Sequence, residues 1–236
     1  TQMESDPPLP NVESFAKGLE VKNLSVQPDN ISITRSIDYS QLLLTADLGN
    51  GEFVDVTRMA KWSIDGEFGK VNHRGLFTPQ TNGSGNLTAS IGGKSKTVQV
   101  KVSGMQKKWT PDFIEDVNPI ISKLGCNAGT CHGAKDGKNG FKLSLRGYDA
   151  IFDVRGFSDD MACRRVSVAA PDSSLMPLKA SGSVAHEGGK LTDEKSKYYQ
   201  VIRSWIAAGA SLNEKGVRVD RIELFPNDPV VANIGS

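Results

Sequence analysis

Cys126-Asn127-Ala128-Gly129-Thr130-Cys131-His132 sets two thiols ahead of an imidazole, with the histidine directly after the second cysteine. That order of groups attaches haem covalently: each cysteine forms a thioether to a porphyrin vinyl group, and the histidine is carried beneath the ring to ligate iron. The usual spacing has two residues between the cysteines; here four stand between them. To keep the same sulfur-to-sulfur span the four must bulge outward. Asn127, Ala128 and Gly129 are small or turn-competent, and Gly129 is free to take a positive φ. Three other readings compete. Zinc needs four ligands, and adjacent Cys131 and His132 are badly placed to share one tetrahedral ion with Cys126. A Cys126–Cys131 disulfide is sterically feasible in an exported protein but leaves the histidine unexplained. The third is chance, which the flanking sequence argues against.

Outward from the motif, the next constraint is size. A chain of 236 residues suggests one large or two modest domains, each burying its own core. A net charge of +1 offers no electrostatic footprint for nucleic acid or an anionic membrane. No apolar run reaches the length of a membrane span, and no charged-then-apolar signal opens the chain. Residues 1–18 begin polar and carry Pro7, Pro8 and Pro10, which reads as a disordered leader or a trimmed terminus. Ser/His/Asp sets, phosphate-cradling glycine loops and paired carboxylates do not stand out, so hydrolytic or phosphoryl chemistry has no support.

Residues 19–104 alternate with period two between turn residues, as a half-buried antiparallel sheet does. Leu24 and Val26, Ile31 and Ile33, Leu42, Leu44 and Ala46, Val54 and Val56, Leu87, Ala89 and Ile91, and Val98, Val100 and Val102 mark the strands. Pro28-Asp29-Asn30, Gly49-Asn50-Gly51 and Gly92-Gly93 mark the turns. About seven short strands at this spacing predict a β-sandwich, with Trp62 large enough to plug the space between facing sheets. His73, between Asn72 and Arg74, reads as a solvated loop histidine, and Trp109 as a packed residue at the end of a polar linker.

The segment resembles a group 2 bacterial immunoglobulin-like domain. The residues that carry the likeness are Leu24-Ser25-Val26 with Pro28, Gln41-Leu42, Gly51, Asp55-Val56-Thr57, Trp62, Gly75-Leu76-Phe77-Thr78, and Gly85 before Leu87-Thr88-Ala89. Such a resemblance implies a spacer or adhesive module without chemistry of its own.

Around the motif the period changes. Thr110-Pro111-Asp112 predicts a helix start. Phe113, Val117, Ile120, Ile121 and Leu124 follow at three- and four-residue spacing up to Gly125, with Pro119 kinking or restarting the helix. A later helix opens at Thr192-Asp193-Glu194 and buries Tyr198, Val201, Ile202, Trp205 and Ile206. Two amphipathic helices bracketing an attachment loop is the layout of a small cytochrome c.

Residues 116–210 resemble the cytochrome c domains of large planctomycete surface or periplasmic proteins. The matching residues are Asp116-Val117-Asn118-Pro119-Ile120-Ile121, Cys131-His132-Gly133, Gly140-Phe141-Lys142-Leu143-Ser144-Leu145-Arg146-Gly147-Tyr148, Arg164-Arg165-Val166, Ser174-Leu175, His186-Glu187-Gly188-Gly189 and Trp205-Ile206-Ala207-Ala208-Gly209-Ala210. Family members often carry glycine where Cys163 stands. The resemblance implies one covalently held haem c, anchored by Cys126 and Cys131 and ligated by His132. In simpler relatives a methionine precedes a Lys-Leu-Thr-like run, and His186 stands at that place ahead of Gly188-Gly189-Lys190-Leu191-Thr192. Bis-histidine ligation through His132 and His186 is therefore expected, with Met176 and Cys163 as alternatives for the sixth position. Lys142, Arg146, Arg164 and Arg165 are candidates to pair with haem propionates or to form a solvated face, and Phe141 and Tyr148 to pack on the ring.

The expected architecture is multidomain: an all-β immunoglobulin-like sandwich over 19–104, then a mainly α cytochrome c domain over 105–212. The tail, 213–236, alternates through Val217, Val219, Ile222 and Leu224 to Phe225-Pro226, echoing Leu24 to Pro28, and reads as the start of a further immunoglobulin-like domain in a larger protein. The function implied is electron transfer in the periplasm or at the cell surface, with an unidentified protein redox partner and no nucleic acid. A haem-based gas or redox sensor, or an accessory redox module of a larger enzyme, is the alternative.

Overall fold

The computed structural model describes residues 20–161, 164–216 and 219–223. Cys163, the leader 1–18, and Val217 and Leu224 to Pro226 of the expected further strand lie outside them. Two compact units result, one ending at Trp109 and the next beginning at Thr110.

The first unit is built of strands β1 (Asn23–Gln27), β2 (Asn30–Ile33), β3 (Ser40–Gln41), β4 (Leu43–Asp47), β5 (Phe53–Asp55), β6 (Lys61–Ile64), β7 (Gly69–Val71), β8 (Leu76–Pro79), β9 (Gly83–Ile91) and β10 (Lys94–Val102). They form three small sheets, ordered β1-β4-β5, β2-β10-β9-β6 and β3-β8-β7. Alternation decides which side chains are buried, because successive residues of a strand face opposite ways. Leu24 and Val26, Ile31 and Ile33, Leu44 and Ala46, Leu87 and Ala89, and Val98, Val100 and Val102 all enter one core with Phe77 and Leu42. At Gly92-Gly93 the chain reverses, and β9 and β10 pair over their full nine residues. β2 joins β10 in parallel. Trp62 is only half-buried and donates its indole N–H to the Thr57 carbonyl at 2.9 Å, so it seals an edge of the core instead of plugging its centre. His73 is likewise half-buried. Trp109 receives the Arg35 guanidinium 5.9 Å from its ring centroid.

Among the described residues, helices are confined to the second unit. A π-helical turn, Phe113–Val117, leads into α1 (Asn118–Lys123); α2 (Ala150–Ser158), α3 (Leu175–Ser181) and α4 (Lys197–Ala207) follow. The first turn is capped by Asp112, whose carboxylate accepts from the Ile114 and Glu115 amides at 2.7 and 2.9 Å, and not by Thr110. Helix α4 begins after Ser196, which accepts from the Tyr199 amide, and not at Thr192. Phe113, Val117, Ile121, Leu143, Phe157, Ile202, Trp205 and Ile206 are buried together in this unit's interior. Its aromatic rings touch in sequence: Phe113 lies 5.2 Å from Trp205, Phe157 6.5 Å from both, and Phe141 5.1 Å from Phe157.

This architecture corrects the expected immunoglobulin-like sandwich followed by a mainly α domain. Of the described residues 22% are helical and 25% strand, with several small sheets in place of two facing ones and with short helices. In the first unit most strands run five residues or fewer before a turn residue ends them, too few ladder bonds to join every strand into two wide sheets. In the second, glycine recurs at 125, 129, 133, 137, 140 and 147. Each glycine in a helix interior costs about 1 kcal/mol relative to alanine, so the stretch between α1 and α2 folds as turns. Among the described residues no helix is long and apolar enough to cross a membrane.

Candidate functional site

The apolar face of α1 fixes where the motif starts. Ile120 and Ile121 are buried, Leu124 ends the helix, and Gly125 turns the chain at φ +80°, which an L side chain rarely adopts. The expected positive φ at Gly129 is absent; the reversal is made one residue before the motif. Cys126 donates its amide to Ile121 and Cys131 its amide to Ala128, both at 2.9 Å. The His132 amide then returns to the Cys126 carbonyl at 3.0 Å. The extra residues between the cysteines are thus accommodated by a closed turn whose two ends are hydrogen-bonded to each other.

Beneath the turn lies Asn127, wholly buried. Its side-chain N–H donates to Ser122 Oγ at 2.7 Å, and its carbonyl accepts the Arg146 amide at 3.0 Å. Gly133 rests against that same carbonyl so closely that a β-carbon there would overlap it. A strap over residues 141–147 clamps the motif from above. The Leu143 amide donates to the His132 carbonyl at 2.8 Å, and Arg146 reaches Asn127 as described. Buried Asp153 of α2 anchors the strap, accepting from the Ser144 amide at 2.5 Å and the Ser144 hydroxyl at 2.7 Å. Asn118 donates to the Gly147 carbonyl at 3.0 Å.

Both cysteines are free thiols, which overturns the disulfide reading. Burial pushes the Cys126 thiol up to about 11, with Cys131 adding to the rise and a backbone hydrogen bond opposing it. His132 places Nδ1 3.1 Å from the Phe141 carbonyl. A carbonyl can only accept, so Nδ1 carries the proton and Nε2 presents its lone pair. Burial holds His132 below the ordinary imidazole value; the Phe141 carbonyl opposes this, and the charges of His186, Arg165 and Lys138 reinforce it. Neutral imidazole, the form that ligates metal, is favoured on both counts.

His186 sits between α3 and α4, half-buried, with Nδ1 3.0 Å from the Gly189 carbonyl. Its tautomer is fixed in the same sense. Each imidazole thus has Nδ1 committed to a backbone carbonyl, and the charge of His186 is felt at His132. Met176 opens α3, half-buried, and donates its amide to the Arg165 carbonyl at 3.0 Å. No family model matches the chain, and no curated protein matches it.

That geometry fits a haem on its donor set: two unpaired thiols, an imidazole in the ligating tautomer and a second one nearby. Apolar Leu145, 54% exposed, stands against Gly129 of the motif. Zinc has no such support, since no group of three or more His, Cys, Asp or Glu side chains converges among the described residues. Of the basic candidates, Lys142, Arg146 and Arg164 are exposed, but Arg165 is 7% exposed and occupied by backbone carbonyls. Tyr148 is 92% exposed and does not pack on the motif; Phe141 does, its ring centroid 4.6 Å from that of His132.

Sequence reasoning missed Asp153 and did not see that Asn127 is wholly buried or that Ser144 bonds to Asp153; none of the three carries haem chemistry. Burial raises the Asp153 carboxyl above its ordinary value, the Ser144 bonds oppose the rise, and Asp149 adds to it. Protonated Asp153 therefore suits the folded state. The stabilisation from protonation is complete below the ordinary aspartate value and is lost as pH rises through the higher folded-state value. Asp153→Asn should accordingly flatten the dependence of the urea midpoint on pH over that acidic window; an unchanged slope would show that ionised Asp153 is fully compensated by Ser144.

Proposed function

We propose that the second unit is a one-electron transfer module for a single haem c, which Cys126 and Cys131 would hold through thioethers and His132 would ligate, with His186 as the candidate for the second iron ligand. Such a group supplies reversible one-electron exchange at its iron. The observation that carries this reading is the pairing of two free thiols with an imidazole whose Nδ1 proton is committed to the Phe141 carbonyl, which leaves Nε2 for metal. His186, held the same way by Gly189, is the residue best prepared to complete the coordination, ahead of Met176 and Cys163. The likeness of residues 116–210 to haem c-binding segments of planctomycete surface proteins supports the same conclusion.

In this reading the strand-rich first unit is a spacer, the protein is exported to the periplasm or cell surface, and its redox partner is another protein. The protein's own part is to keep the His132 imidazole neutral and both imidazoles oriented, so that oxidation and reduction require little rearrangement. Exposure of the loop around His186, including Glu187, Gly188 and Gly189, favours one second reading: a displaceable ligand would let a small gas bind, making the unit a sensor.

The test is expression of the chain in a host with a c-type haem maturation system. Haem that stays with the polypeptide on a denaturing gel, and is lost in the Cys126→Ala, Cys131→Ala double variant, is the expected result. Its absence from the wild type would refute the proposal. His186→Ala should convert a low-spin absorption and electron paramagnetic resonance spectrum to high-spin. An unchanged spectrum would move the sixth ligand elsewhere, and rapid carbon monoxide binding by reduced wild type would favour the sensor.

A further inference from the structure

Arg165 is a buried cation with an unusual set of neighbours. It is 7% exposed. One terminal nitrogen donates to the Gly156 carbonyl at 2.7 Å, the other to the Gly140 carbonyl at 3.0 Å, and the second also approaches Met161 Sδ at 3.8 Å. Carbonyl and thioether groups orient the guanidinium without cancelling its charge. The carboxylate within reach, Asp160 at 3.3 Å, has a side chain 66% exposed, where water screens its charge. The guanidinium carbon lies 4.4 Å from the Phe141 ring centroid, and the Phe141 ring in turn lies 4.6 Å from the His132 ring, while the Phe141 backbone carbonyl accepts a hydrogen bond from His132 Nδ1–H.

A guanidinium, a benzene ring and an imidazole are therefore in consecutive contact, with the imidazole at the far end from the charge. We propose that Arg165 is a positioning residue that tunes the redox site: through Phe141 it fixes the His132 imidazole, and its charge, only partly offset by exposed Asp160, favours the reduced state of a haem held there. This inference rests on the haem c reading above.

The physical basis is the sign of the charge change. Oxidation adds one positive charge at the metal, and reduction removes it by taking up one electron from a protein donor. A fixed cation in a poorly screened interior opposes the oxidised form more than the reduced one. No proton has to move, since Nδ1 of His132 keeps its proton, donated to the Phe141 carbonyl, in both states. Lys138 lies within electrostatic range of His132 as well, so the field from the protein side is positive. Arg165 also joins two segments that the motif depends on. Gly156 belongs to α2, the helix that carries the strap anchor Asp153, and Gly140 precedes the strap itself.

The experiment is potentiometric titration of the haem-loaded full chain for four proteins: wild type, Arg165→Gln, Arg165→Lys and Asp160→Asn, at low ionic strength. Arg165→Gln should lower the midpoint potential while the low-spin spectrum is kept, Arg165→Lys should stay near wild type because the charge remains, and Asp160→Asn should raise the potential by removing the offsetting carboxylate. Equal potentials in wild type and Arg165→Gln, or an equal fall in the Lys and Gln variants, would overturn the charge argument. If the Gln variant does not fold, Asp160→Asn decides alone, since Asp160 is exposed: a rise supports the proposal and no change refutes it. Wild type that retains no haem would instead defeat the haem c reading, and this inference with it.

Discussion

Replacing Gly133 by alanine is expected to destabilise the second unit by about 2–4 kcal/mol and to abolish whatever the Cys126–His132 turn binds. The added β-carbon would overlap the Asn127 carbonyl and press on the Ala128 carbonyl. Neither can retreat freely. Asn127 O accepts the Arg146 amide, and Ala128 O accepts both the Cys131 and the Gly133 amides. Relief requires breaking these bonds, and with them the closure of His132 onto Cys126. Gly129→Ala supplies the contrast, because its β-carbon would meet only Leu145 Cδ1 at 3.6 Å, an ordinary contact worth no more than about 0.5 kcal/mol either way. Urea titrations of both variants, followed at 222 nm, separate the two: equal midpoints would mean that the turn is far more pliant than its hydrogen bonds imply.

Trp205→Ala should cost about 3–5 kcal/mol, a large share of the roughly 5–15 kcal/mol that holds a typical domain together. Trp205 is 1% exposed. It ties α4 to the opening turn through Phe113 and to α2 through Phe157. Its indole N–H also donates to the Ser211 carbonyl at 2.9 Å, so truncation leaves a cavity and removes a hydrogen bond at once. Because every helix among the described residues lies in the second unit, ellipticity at 222 nm reports mainly on that unit. A shift of its urea midpoint to much lower denaturant is expected, with Trp205→Phe intermediate. A midpoint within experimental error of the wild type would show that α4 is held by Ile202 and Ile206 without it.

What the sequence made legible was local. The alternation of Val98, Val100 and Val102 named buried positions because a strand's period is independent of its partners, and the Gly92-Gly93 turn named the hairpin. Phe113, Val117 and Ile121 reported an apolar face for the same reason. How strands partition into sheets depends on contacts distant in sequence, and the expected sandwich failed there. The expectation of a mainly α second unit failed because the stretch between the bracketing helices, where glycine recurs every three to seven residues, folds as turns. Thr192 looked like a helix cap, but its hydroxyl lies 2.6 Å from that of Ser196, which performs the capping. Two thiols and an imidazole were visible as chemistry in the motif itself. Arg165 was read as a surface partner for propionates, since nothing in Arg164-Arg165-Val166 reveals that carbonyls from positions 140 and 156 converge on it.

The parallel pairing of β2 with β10 bears on the order in which the first unit is assembled. Ile31 and Ile33 lie opposite Val100 and Val102, so a strand near the start of the unit has no partner until the final one has been synthesised. Closing so long a loop must precede any reward from the contact, which slows folding relative to the local β9–β10 hairpin. The hairpin can form by itself and offer the β10 edge as a template. Until then the segment around β2 emerges from the ribosome as an unpaired apolar strand, exposed to mispairing or to capture by a chaperone. This unit is therefore completed from its C-terminal end, and a nascent chain halted before Val98 would hold its opening strands without a finished core.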